Sequence, residues 1–141
     1  MYHRVKKIKF GGGIDANRML MRKLTYNFLT KGKLKTTISK AKVLKSFVEH
    51  IVEKSKERSE ANKNFIMHYI TDSKMINMLF NTIGPAIKDV KGGYLRIVKL
   101  GARESDATQI GVVEWAYPIV FEKPVVKIKE KSVKKEVTKI K

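Results

Sequence analysis

A chain of 141 residues with 31 Lys or Arg against 13 Asp or Glu carries a formal charge of +18, yet its 43% apolar content still allows one modest core. The absence of cysteine excludes disulfide staples, cysteine-ligated zinc and a thiol nucleophile. No apolar run approaches the ~18 residues of a membrane span and no secretory h-region follows the basic start, so the chain reads as soluble and intracellular.

The charge is unevenly placed. Residues 1–35 hold ten Lys or Arg and a single acid, Asp15, for a net +9. Residues 36–70 net +3, 71–115 net +1 and 116–141 net +5. Concentrated like charge opposes compaction, so anions from outside the chain are expected to supply the compensation. A polyanion with closely spaced phosphates fits best.

Residues 1–13, with Arg4, Lys6, Lys7 and Lys9 ahead of three glycines, hold too few apolar groups to order alone, and read as a basic arm that orders on nucleic acid. Asp15 is the expected N-cap of a first helix over roughly 16–30. Leu20, Leu24 and Phe28, with Met21, share its core face, and Gly32 suits its C-terminal stop. Arg18 and Arg22 lie four apart on a different face. A short strand, 34–37, leads to a second helix capped by Thr37 or Ser39 and running to about 56. Ala41, Leu44, Phe47, Val48 and Ile51 form its buried stripe. Its N-terminal half carries Lys40, Lys42 and Lys45 and no acid, against the preference set by the helix dipole. A phosphate at that end reverses the sign of the effect. The competing reading is a solvated face with Lys45 paired to Glu49.

A third helix is expected at 61–70, burying Phe65, Ile66 and Tyr69. A fourth starts at the cap Asp72 and uses Met75, Ile76, Leu79 and Phe80, with Gly84-Pro85 breaking the pattern. Gly92-Gly93 turns the chain into a strand at 94–100, and a polar loop carrying Arg103 joins it to another at 109–115. The domain is thus expected to span 14–116, with 117–141 a basic tail. His3, His50 and His68 lack metal-ligand spacing, and Gly11-Gly12-Gly13 lacks the phosphate-loop frame. Glu49, Glu53 and Glu57 align at helical spacing as a solvated face. No constellation satisfies the roles of a catalytic site, so neither enzyme activity nor a cofactor, metal or small-molecule substrate is expected.

Three ordered blocks then carry a resemblance. Leu20-Met21-Arg22-Lys23-Leu24, the block Thr36-Thr37-Ile38-Ser39-Lys40-Ala41-Lys42-Val43-Leu44, and the segment Gly92-Gly93-Tyr94-Leu95-Arg96-Ile97-Val98-Lys99-Leu100-Gly101 resemble the bacterial large-subunit ribosomal protein seventeen family. Arg103 and Asp106-Ala107 follow in order, so the likeness covers about residues 1–115. Ala16-Asn17 stand where that family usually has His-Arg, and Arg18 falls one position later. The arm is also richer in Lys than the family's, which favours point-charge over bidentate phosphate contacts.

The resemblance implies an α+β fold of two layers, with about four helices on a small mixed three-stranded sheet. It implies a structural constituent of the large ribosomal subunit, cytoplasmic and non-catalytic. Its partners would be large-subunit ribosomal RNA and neighbouring ribosomal proteins, number thirty-two among them. The expected RNA contacts are Arg4, Lys6, Lys7, Lys9, Arg18, Arg22, Lys23, Lys35, Lys40, Lys42 and Lys45. Thr36 and Thr37 would add hydroxyl contacts, Arg96 and Arg103 secondary contacts, and Tyr94 either core packing or base stacking. The alternative is a non-ribosomal module such as a nucleoid or duplex-DNA protein.

Overall fold

The computed structural model describes residues 10–119. Helix α1 spans Gly13–Lys31, strand β1 Lys33–Thr37, helix α2 Ile38–Ser55, helix α3 Glu60–Tyr69 and helix α4 Ser73–Met78. A π turn at Leu79–Ile83 and a closing helical turn at Gly84–Ala86 continue α4, before strands β2 (Leu95–Ala102) and β3 (Gln109–Trp115).

The core follows the helical and strand periodicities. Phe28 and Leu29 of α1, and Ala41, Leu44, Val48, Ile51 and Val52 of α2, are buried together with Ile66, Leu79 and Ile83. From the sheet, Leu95 and Val113 join them, with Leu34, Ile97 and Trp115 packed alongside. The Trp115 ring lies 5.0 Å from that of Phe28, tilted by 41°. Helix α2 touches all three strands as well as α1, α3 and the π turn, so it is the common element of the helical layer.

The sheet order is β1-β3-β2. Both pairings are antiparallel, with Leu34 opposite Val113 and Ile97 also opposite Val113. The expected mixed sheet is therefore an antiparallel one. The β2–β3 hairpin fixes one pairing, and β1 runs in the same direction as β2. Because β3 lies between them, the one parallel pair is never hydrogen-bonded.

Three local expectations change. Helix α1 is capped not by Asp15 but by Gly12, in the left-handed region at φ 101°. Asp15 sits in the first turn, 3.7 Å from Arg18, where its charge favours the dipole. Gly84-Pro85 does not end the helical course. The π turn ahead of it widens the register, and Pro85 falls at the start of the closing turn, where its missing N–H costs nothing. Strand β2 continues to Ala102 through a bulge between Lys99 and Gly101.

Other expectations hold. Gly32 ends α1 at φ 73°, donating to the carbonyl of Phe28. Asp72 caps α4, accepting from the Lys74 N–H at 2.9 Å. Ile119, within the expected tail, packs against the core; the rest of the tail and the arm lie outside the described residues.

Candidate nucleic-acid interface

The junction of β1 and α2 gathers the densest group of expected contacts. Lys35, Thr36, Thr37 and Lys40 share an open groove with Arg103, Glu104 and Ser105 from the β2–β3 loop. The polypeptide builds it in two moves. Thr37 is extended (φ −67°, ψ 147°), which turns the chain from strand to helix and leaves the first N–H groups of α2 at the groove. The loop is then closed by Arg103 N–H to Thr108 carbonyl at 2.9 Å and Ala107 N–H to Arg103 carbonyl at 2.8 Å.

Thr37 makes no side-chain capping bond, and the first turn of α2 holds no acid. The positive end of the helix dipole and the Lys35 and Lys40 side chains thus lie at the same groove, an arrangement that favours an oxyanion although Glu104 also lines it. Arg103 is partly neutralised. Its guanidinium donates to Asp106 at 2.9 and 2.5 Å. That bond raises the Arg103 pKa and holds the Asp106 carboxyl well below the usual carboxylate range, with the Thr108 hydroxyl assisting the latter.

The other expected residues fall in distinct places. Lys42 is exposed on α2, whereas Lys40 and Lys45 are half-buried. Lys45 pairs with Glu49 at 3.9 Å, as the competing reading held. Arg18 is exposed, and Lys23 lies on the exposed side of α1. Arg22 donates to the His68 carbonyl at 2.7 Å, tying α1 to the end of α3. With Arg18 it borders an apolar depression lined by Phe10, Ile14, Met21 and Phe47. Arg96 is exposed on the outer face of the sheet and pairs with Glu114 at 2.7 Å. Arg4, Lys6, Lys7 and Lys9 lie outside the described residues.

Tyr94 must be removed from the set. It is 2% exposed and its ring belongs to the core, so it presents no face to a base. Its hydroxyl donates to the Glu53 carboxylate, and Lys56 sits 4.8 Å from the ring centroid. Lys56 also donates to the Val90 carbonyl at 2.6 Å and lies 3.0 Å from Glu53. The hydrogen bond from Tyr94, then that from Lys56, holds Glu53 below its ordinary value. Burial followed by the Glu53 bond pushes Tyr94 up. Burial pulls Lys56 down, but its bonds to Tyr94 and Glu53 outweigh it and the net direction is up. Glu53 is exposed, as helical spacing indicated, and at the same time anchors the turn that starts β2.

Lys31 and Lys33 are not among the residues expected from the sequence. They line the outer face of the sheet next to Lys35. The i, i+2 spacing of Lys33 and Lys35 within a strand was the signal, since it places both on one face.

Among the described residues no cluster of three or more His, Cys, Asp or Glu could hold a metal, and no helix is long and apolar enough to cross a membrane. A basic α+β domain whose cations line open grooves has the surface of a polyanion-binding protein. The family model described as Ribosomal protein L17 matches residues 20–116. The large ribosomal subunit protein bL17 of Koribacter versatilis is 34% identical over 114 residues, 81% of this chain and 71% of that protein. Its counterpart in Cutibacterium acnes is 31% identical over 106 residues, 75% of this chain and 60% of that protein. The one from Natranaerobius thermophilus is 31% identical over 113 residues, 80% of this chain and 96% of that protein. The chain belongs to the ribosomal protein L17 family, whose members are structural and non-enzymatic.

Proposed function

We propose that this protein is a cytoplasmic constituent of the large ribosomal subunit that stabilises ribosomal RNA by clamping phosphates from more than one RNA segment. The observation that carries the reading is the groove in which Lys35, Thr36, Thr37, Lys40 and Arg103 meet the open N-terminus of α2. Phosphate contacts position the protein and RNA shape selects the site. Lys42 and Lys45 extend the contact along α2. Arg18, Arg22 and Lys23 engage through α1, and Arg4, Lys6, Lys7 and Lys9 through the arm. Arg96 adds a secondary contact from the sheet. Bridging separate segments stiffens their junction, which supports translation through assembly and not through chemistry. Neighbouring ribosomal proteins, number thirty-two among them, complete the setting. The nucleoid alternative has no observation in its favour once the family is known.

The test is the salt dependence of binding to large-subunit ribosomal RNA. Each neutralised phosphate contributes about −0.7 to −0.9 to the log–log slope, so about six contacts give a slope near −5. A slope shallower than about −2 would overturn the mechanism.

A further inference from the structure

The sheet face turned away from α2 is unlike the polar surface that an uncovered antiparallel sheet ordinarily shows. Val98 and Leu100 are 41% and 54% exposed. Val112 pairs with both Val98 and Lys35, so it lies between them in the register. Lys31, Lys33, Lys35 and Glu114 border this aliphatic strip, and all seven residues line one depression. Glu114 is already paired with Arg96 at 2.7 Å, which leaves the three lysines to set the charge of the rim. Leu100 falls in the bulge of β2 and has no partner residue on β3.

The strip carries no aromatic side chain, so it offers no platform for stacked bases. It offers branched aliphatic surface beside a row of ammonium groups. β1 and β2 are two strand spacings apart, about 10 Å, so the lysines stand to one side of the strip rather than within it. That combination matches the wide, shallow minor groove of A-form RNA, where ribose edges are exposed between two phosphate ridges. A basic protein surface would meet like charge at the same lysines.

We propose that the outer face of the sheet docks on the minor groove of a ribosomal RNA duplex. Val98, Leu100 and Val112 pack on riboses, and Lys31, Lys33 and Lys35 hold one flanking backbone. The proposal rests on the RNA-binding reading and specifies which structure that RNA presents. Continuity supports it. Lys35 and Leu100 line both this depression and the groove at the β1–α2 junction. The backbone of a duplex on the sheet therefore leads directly to Thr36, Thr37 and Lys40.

The absence of cysteine makes the test direct. In the full chain, Val98→Cys provides a unique tether for an iron chelate, and the probe is a large-subunit ribosomal RNA transcript. The expected result is ribose cleavage in two clusters facing each other across the minor groove of one duplex. Cleavage confined to single-stranded RNA, or none from a protein that binds, overturns the proposal. In a second arm, Val98→Ser with Leu100→Ser weakens RNA binding about tenfold without changing the salt slope, because the lost contact is apolar. Lys31→Gln with Lys33→Gln instead flattens the slope by about 1.5. A serine variant that binds RNA normally but fails to enter large subunits would assign the strip to a protein and overturn the proposal. Failure of the unmodified chain to bind the transcript would remove the RNA reading itself, and this proposal with it.

Discussion

Replacing Gly84 with alanine should destabilise the domain, although alanine is the better helix former by about 1 kcal/mol. Gly84 has helical angles, φ −52° and ψ −56°, so intrinsic propensity alone favours the change. Packing opposes it. A Cβ at this position would stand 2.4 Å from the carbonyl oxygen of Ser55, and 3.1 Å from both the Leu79 oxygen and the Ser55 carbonyl carbon. A tolerable carbon–oxygen contact is about 3.3 Å, so the last turn of α2 and the closing turn must separate by roughly 0.9 Å. Both partners are backbone, and the surrounding Val52, Ser55 and Ile83 are at most 1% exposed. No flexible side chain can absorb the shift. Overpacking of this kind costs about 1–3 kcal/mol, and the upper end applies where rigid elements collide. Offsetting the propensity gain leaves about 2 kcal/mol, or a fall of roughly 8 °C in Tm for a domain of this size. Thermal unfolding followed by circular dichroism measures it. Gly11→Ala is the control, because nothing lies within 4 Å of its added carbon. A Gly84→Ala protein that melts at or above the wild-type temperature would refute the packing argument.

Changing Lys40, Lys42 and Lys45 together to Glu should shift Tm by only a few degrees, because the dipole gain near the helix start offsets loss of the Lys45–Glu49 pair. RNA affinity should fall about a hundredfold or more, and a filter-binding titration that matched wild type would dissociate α2 from the interface. Thr25 is fully buried with no partner for its hydroxyl, so Thr25→Val should stabilise the fold by about 1–2 kcal/mol in a urea titration; a loss would show that the hydroxyl is satisfied. Glu53 has a lowered pKa in the fold, so its contribution is present above its ordinary value of 4.5 and is lost as pH falls through the folded value. The Tm gap between wild type and Tyr94→Phe should therefore narrow from pH 6 to about pH 3, and a gap independent of pH would remove the Tyr94–Glu53 bond from the account.

Features that depend on local period and local charge were legible in the residues alone. The stripe of Ala41, Leu44, Val48 and Ile51 is a 3.6-residue repeat, and it is buried as that repeat requires. Gly32 and Asp72 end and begin helices for reasons contained within one turn of chain. The family was legible too, because its three blocks are contiguous residues. How separated segments meet became visible only in the folded chain. Tyr94 at a strand start is open to either stacking or packing until Glu53, 41 residues earlier, is found beneath its hydroxyl. Gly84 reads as a helix breaker until the Ser55 carbonyl is seen to occupy the space of a side chain. The strand directions follow from β3 standing between β1 and β2, an order that no local preference encodes. The same holds for the interface. Charge density marked Lys35 and Lys40 as contacts, but only the fold brings Arg103 to them across the groove and sets Lys31 and Lys33 beside Val98 and Leu100. Periodicity reports which side of an element is buried, whereas the identity of what lies across from it depends on chain segments distant in sequence.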